Sequence, residues 1–168
     1  NSTTTIAINT GSTADSTYDS VSSQTVTVTT ADDDTAGFTV TQSGGSTSVA
    51  ETGSTDTFTV VLNSKPTGDV VFSLTDNDTD NTEISYSPTA LTFTSSNWNS
   101  VQTVTVTGIN DDIDDGNVNS TTTVAINTGS TADSIYDTVS SQAVVVTTVD
   151  DDLAAPVLDN ATPAEQQN

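Results

Sequence analysis

An all-β sandwich is the fold class that the sequence predicts, on three observations. The 168-residue chain holds 37 Thr and 22 Ser, and Thr, branched at Cβ, suits the solvent face of a strand. Apolar residues alternate with these hydroxyl residues at period two, and helical spacing is nowhere sustained. Clusters of Gly, Asn, Asp and Ser separate the apolar runs.

Between Thr35 and Asp152 the runs can be taken in order. Phe38 and Val40 mark a first strand, ended by Gly44-Gly45, and Phe58, Val60 and Leu62 mark a second, ended by Asn63-Ser64-Lys65-Pro66. Val70, Phe72 and Leu74 make the third, before a loop over 75–83, and Leu91 and Phe93 the fourth, before the turn residues 97–100. Val104 and Val106 make the fifth, Val124 and Ile126 the sixth, and Val144 and Val146 the seventh, with loops over 110–117 and 128–138 between them. Seven short strands with one face buried are the pattern of a seven-stranded immunoglobulin-like antiparallel β-sandwich. Trp98, the only Trp, reads as a lid on the core, and Tyr18, Tyr86 and Tyr136 read as packing residues.

The chain repeats itself. Asn1–Asp34 reads NSTTTIAINTGSTADSTYDSVSSQTVTVTTADDD and Asn119–Asp152 reads NSTTTVAINTGSTADSIYDTVSSQAVVVTTVDDD, with six of 34 positions different and an offset of 118 residues. That period is the size of a domain and far exceeds a solenoid repeat, so it describes a tandem array of modules. Residues 1–34 are then the C-terminal two strands of a preceding repeat, and 35–152 are a complete module. Residues 153–168, LAAPVLDNATPAEQQN, do not match TAGFTVTQSGGSTSVA at the start of that module, and are a linker or the start of a following domain. With no basic start and no apolar signal core at Asn1, the chain is expected to be a segment of something longer.

Charge narrows the chemistry. One cation, Lys65, faces 23 acidic residues, His and Cys are absent, and the formal net charge is -22. A His base, a Cys nucleophile, a Ser-His-Asp relay and an arginine clamp are excluded within this chain, and no carboxylate pair stands out as glycosidic acid and base, so no enzyme is expected. Nucleic acid and anionic membrane need Lys and Arg, so neither is expected as a partner. No apolar run is long enough for membrane insertion.

The acidic residues gather around Asp76, Asp78 and Asp80 with Glu83, in Asn110-Asp111-Asp112-Ile113-Asp114-Asp115-Gly116, and at Asp150-Asp151-Asp152, while Glu51 stands alone before the second strand. In a seven-stranded sandwich the loop after the fifth strand, the end of the seventh and the first connection share one tip. Carboxylates converging there without Lys or Arg repel and require a counterion. A hard divalent cation with six to eight oxygen ligands meets that need, and Ca2+ accepts irregular loops and backbone carbonyls. A single Asp-rich loop is otherwise just a solvated turn, the alternative reading for Asp76, Asp78 and Asp80.

GINDDIDDG and VVVTTVDDD, with AETGSTDTFTVVL upstream, resemble the Calx-β module, the calcium-binding domain of sodium/calcium exchangers and of large bacterial surface proteins. The likeness spans Thr35 to Asp152. It implies metal ligands at Glu51, at Asp111, Asp112, Ile113 (through its carbonyl) and Asp115, and at Asp150, Asp151 and Asp152. Glu83 is the counterpart of the acidic ligand in the third-to-fourth connection. Asn110 stands where the family commonly has Asp and Val118 where a further Glu often follows, which implies one or two ions per tip and not a full cluster. DDDTAGF at Asp32–Phe38 looks like the family's junction between modules.

The resemblance implies a calcium-binding structural repeat, an extender, of an extracellular bacterial adhesin or surface fibre, stiffened by Ca2+ at its junctions, with neighbouring repeats as partners. An alternative is a subunit of a self-assembling extracellular filament completed by strand exchange between chains, because the two strands of Asn1–Asp34 cannot bury a face alone. A second alternative is a carbohydrate-binding module built on Trp98.

Overall fold

Alternating apolar and hydroxyl residues become alternately buried and exposed positions on paired strands. The computed structural model describes residues 1–77 and 83–153. Asp78 and Asp80, and nearly all of the segment expected to be a linker or a new domain, lie outside the described residues. Two units are resolved, Asn1–Asp34 and the chain from Thr35 onward.

The first unit is a two-stranded hairpin. β1 (Ser2–Ile6) pairs antiparallel with β2 (Gln24–Val28), from Ser2 opposite Val28 to Ile6 opposite Gln24. Every residue of both strands is exposed.

The second unit is a sandwich of two sheets. One has the order β4 (Thr47–Ala50), β11 (Gln142–Val149), β10 (Val118–Ile126), β6 (Val70–Asp76) and β8 (Ala90–Phe93). The other has the order β3 (Phe38–Gln42), β5 (Thr55–Leu62), β9 (Gln102–Gly108) and β7 (Ile84–Ser87).

Among the described residues of this unit there are nine strands, five in one sheet and four in the other, where seven are expected. The expected first strand is followed by a separate β4 on the opposite sheet. Gly44 (φ 62°) and Gly45 (φ 89°) take left-handed conformations between them and let the chain cross over. β4 then runs parallel to β11, Thr47 opposite Val146 and Ala50 opposite Val149, so the sandwich is not wholly antiparallel. β7 is the other addition. Ile84-Ser85-Tyr86-Ser87 alternates for only four residues, and it pairs with β9 from Ile84 opposite Gly108 to Ser87 opposite Thr105.

Between the sheets lies one apolar core. Phe58, Phe72 and Phe93 are fully buried, as are Val60, Val70, Val104, Val106, Val124, Val144 and Val146. Phe38 of one sheet meets Phe72 of the other edge to face at 4.8 Å, and Phe72 meets Phe93 at 5.8 Å. Each such side chain contributes about 1.5–3 kcal/mol on burial. Trp98 is half-buried against this core, which is the lid reading.

The two ends of the sandwich differ. At one end Tyr136, 2 % exposed, donates its hydroxyl to the Ser64 carbonyl at 2.6 Å. Beside it the buried Asp133 carboxylate accepts from the Thr67 N–H at 2.7 Å, the Thr67 hydroxyl at 3.0 Å and the Ile135 N–H at 3.0 Å. At the other end β4, β9 and β11 all terminate, and there the acidic residues collect.

Candidate metal centre

Pairing delivers the acidic residues to one place. β4 and β11 run parallel, so Glu51 follows β4 where Asp150 follows β11, and the Glu51 N–H donates to the Val149 carbonyl at 3.1 Å. β9 ends alongside, with the Gly108 N–H donating to the Ser54 carbonyl at 3.0 Å. The approach is so close that a Cβ on Gly108 would lie 2.2 Å from the Ala50 carbonyl oxygen. Only glycine lets β9 pass there and bring 109–117 over Glu51.

Local hydrogen bonds shape the loops. The Asp111 carboxylate accepts from the Ile113 N–H at 2.8 Å, and the Asp150 carboxylate from the Asp152 N–H at 2.9 Å. Asp150 also accepts from the Gly116 N–H at 2.9 Å, and its own N–H donates to the Asn117 side chain at 3.3 Å. The loop after β9 is thereby tied to the end of β11.

Two sets of carboxylates result among the described residues. Oxygens of Glu51, Asp111 and Asp152 lie within 4.8 Å of one another, as do oxygens of Glu51, Asp115 and Asp150. Glu51 belongs to both and is 3 % exposed. Its Oε2 and the Oδ2 of Asp152 are buried with no hydrogen-bond partner, although buried polar atoms are almost always partnered. Burial pushes the Glu51 carboxyl above its ordinary value, and the charges of Asp150, Asp111 and Glu83 push the same way against the opposing Asp151 N–H. Burial likewise raises Asp152, helped by Asp151, Asp112, Asp150 and Asp111.

The remaining sequence-predicted residues lie beside these two sets without belonging to either. Glu83 is buried at the start of β7, and its carbonyl accepts from the Ile109 N–H at 2.9 Å. Asp112 and Asp151 are exposed and belong to neither set. At a strand end successive side chains point to opposite sides, so Asp150 and Asp152 turn inward while Asp151 turns to solvent and offers Glu51 its N–H. Ile113 is 58 % exposed, and its carbonyl accepts from the Asp115 N–H at 2.9 Å. Gly108, Gly116 and Asn117 position the carboxylates without supplying one. A glycine closing β9 and the Asp-Gly-Asn at 115–117 are their only marks in the sequence.

The donor set fits a hard cation. It is all oxygen, without sulfur or imidazole, and two of its members, Glu51 and Asp152, each keep a buried oxygen with no hydrogen-bond partner. Lys65 lies past Leu62, at the far end of β5 from Thr55 and Gly108, roughly 23 Å away along the strand. The protein's one cationic side chain therefore does not neutralise the cluster.

No family model matches the sequence, and no curated protein matches it. Among solved structures the chain is similar to the E. coli chaperone DraB, with 9 % identity over 71 % of this chain and 59 % of that one, TM-score 0.48. The chain thus spans less than two thirds of that protein. It is similar to the apo-form Calx CBD1 domain, with 16 % identity over 68 % of this chain and 98 % of that one, TM-score 0.45. It is similar to domains 4 and 5 of the S-layer protein SbsC, with 24 % identity over 76 % of this chain and 52 % of that one, TM-score 0.43. With scores below 0.5, none of these likenesses decides what the chain does; the residues of the tip carry that argument.

Proposed function

We propose that residues 35–152 form an immunoglobulin-like calcium-binding module of the Calx-β type, a structural repeat of an extracellular surface protein. The observation that carries this reading is the convergence of Glu51, Asp111, Asp115, Asp150 and Asp152, from three separate chain segments, into two overlapping carboxylate sets sharing one buried Glu. Such a cluster is self-repelling, and a divalent cation turns the repulsion into attraction among loops that nothing else of opposite charge joins.

The role is mechanical and not catalytic. The repeated triple Asp at 32–34 runs straight into Thr35, so successive repeats have almost no linker, and an ion held by the last residues of one repeat stiffens the array. Localisation outside the cell agrees with a need for only weak sites, roughly 0.1–1 mM in Kd. No helix of the described residues is long and apolar enough to cross a membrane. Trp98 is half-buried and packed on the core, the place of a lid, and no observation at it favours the carbohydrate reading.

The test is thermal unfolding of the chain with Ca2+, Mg2+ or chelator. At a hundredfold excess over Kd one site stabilises by about 2.7 kcal/mol, which for a domain of this size raises Tm by roughly 10 °C. Glu51→Gln and Asp152→Asn should each remove most of that rise. An unchanged Tm at 10 mM Ca2+ would end the reading.

A further inference from the structure

Along its inner face β11 carries Val144, Val146 and Thr148, all three fully buried. Val and Thr have nearly the same shape, so a third Val would fill the space at 148 without a polar atom to satisfy. The Thr148 Oγ1 is buried and has no hydrogen-bond partner in the chain. A hydroxyl so placed forfeits the hydrogen bonds it makes in water, and an ordered water or the hydration shell of an ion would restore them.

Register fixes where such a partner sits. Thr148 lies opposite Val49 of the parallel strand β4 and opposite Val118 of β10. Alternate residues share a face, and Glu51 is two residues beyond Val49 as Asp150 is two beyond Thr148. Thr148 is therefore the last inward residue of β11 before the carboxylates, about 7 Å from Asp150 along the strand and about 8 Å diagonally from Glu51, backbone to backbone. The gap left between a Glu and a Thr side chain at that separation is of the size that one water bridges. Glu51 also keeps a buried Oε2 without a hydrogen-bond partner. On β10 the next inward residue, Ser120, is 2 % exposed and brings a second hydroxyl diagonally opposite Thr148.

The chain also contains a matched hydroxyl in another place. Thr122 is as buried as Thr148, and its Oγ1 likewise has no partner. It lies opposite Val144 and Asp76, about 13 Å further down β10 than the row of Thr148.

We propose that Thr148 is the floor of the metal centre, its hydroxyl holding a water that completes the oxygen shell of a divalent cation seated on Glu51. This rests on the calcium reading and adds to it a positioning residue that supplies no carboxylate. Ca2+ takes about six to eight oxygens, waters among them, whereas each carboxylate set is built from three residues. Oxygens other than those carboxylates are needed, and on the side facing the core Thr148 is the residue placed to hold one.

The test measures Ca2+ affinity of the full chain by isothermal titration calorimetry, beside thermal unfolding in chelator. Thr148→Val keeps the shape and removes the hydroxyl; Thr148→Ser keeps the hydroxyl and removes the methyl. The Val variant should bind Ca2+ roughly tenfold more weakly, as expected of a residue acting through a ligand, while its Tm in chelator is unchanged or higher. The Ser variant should show the opposite pattern, wild-type affinity with a lower Tm in chelator. Thr122→Val should leave Ca2+ affinity unchanged. Wild-type affinity in Thr148→Val overturns the inference and leaves the calcium reading standing. So does an equal loss in Thr122→Val, or a Ser variant that binds no better than the Val variant. A wild-type chain that takes up no Ca2+ ends both.

Discussion

Gly108→Ala tests whether the acidic tip is assembled by strand packing. The added Cβ would lie 2.2 Å from the Ala50 carbonyl oxygen and 2.7 Å from its carbon, both backbone atoms that cannot rotate aside. Restoring van der Waals contact needs a separation of about 1 Å between β9 and the end of β4, typical of overpacking that costs about 1–3 kcal/mol. Reduced unfolded-state entropy returns about 0.4–1 kcal/mol. A net loss of about 1–2 kcal/mol corresponds to roughly 4–10 °C in Tm. The same shift acts on function, because Ala50 carries Glu51, which is shared by both carboxylate sets. Urea unfolding with and without Ca2+ reads both effects, and the variant should lose calcium-dependent stabilisation along with basal stability. A variant with wild-type midpoint and wild-type response to Ca2+ would refute this account of how the site is held.

Three further outcomes are expected. In metal-free buffer the carboxyls of Glu51 and Asp152, both raised in the folded state, bind protons more tightly folded than unfolded, so stability rises as pH falls from neutral towards about 4.5; saturating Ca2+ should flatten that slope, as a Tm profile against pH will show. Asp133 behaves oppositely: burial alone would raise it, but the hydrogen bonds from Thr67, Ile135 and Gly68 win and lower it. Its contribution is present above the unfolded value near 3.8 and is lost as pH falls through the folded value, and Asp133→Asn should remove about 2 kcal/mol at pH 7 in urea unfolding. Tyr136→Phe leaves the ring packed but strips the buried Ser64 carbonyl of its donor, so a loss of about 1 kcal/mol is expected, while Tyr18→Phe on the exposed hairpin should leave the unit's midpoint unchanged.

Much of this was readable in the residues because period-two alternation is a direct record of which face is buried. The seven runs expected from Phe38 to Val146 all become strands, and their apolar members fill the core. What was missed is short or conformational. Thr47–Ala50 is four residues behind a Gly pair that reads as an ending, when its left-handed backbone instead carries the chain to the other sheet. Ile84–Ser87 is equally short and is fixed by β9, which lies far along the chain. At the tip, composition and order group the acidic residues but do not say which point inward. That choice is made by turns of two residues, such as the Asp152 N–H on the Asp150 carboxylate, and by alternation at the end of β11. No pattern in sequence announces that Gly108 must pass the Ala50 carbonyl.

The two ends of the sandwich treat buried acid in opposite ways, and the contrast explains how the tip is tolerated. Asp133 is as buried as Glu51, at 3 % exposure each, yet its carboxylate is held by backbone and hydroxyl donors, and its proton affinity falls. Glu51 has the one N–H of Asp151 against several carboxylates, and its proton affinity rises. Asp133, Tyr136 and the phenylalanine core therefore stabilise a sandwich whose opposite end is electrostatically frustrated. Unmatched charge is destabilising unless something neutralises it, and a proton and a metal ion compete for the same oxygens. On the reading proposed above, a divalent cation is what completes the tip.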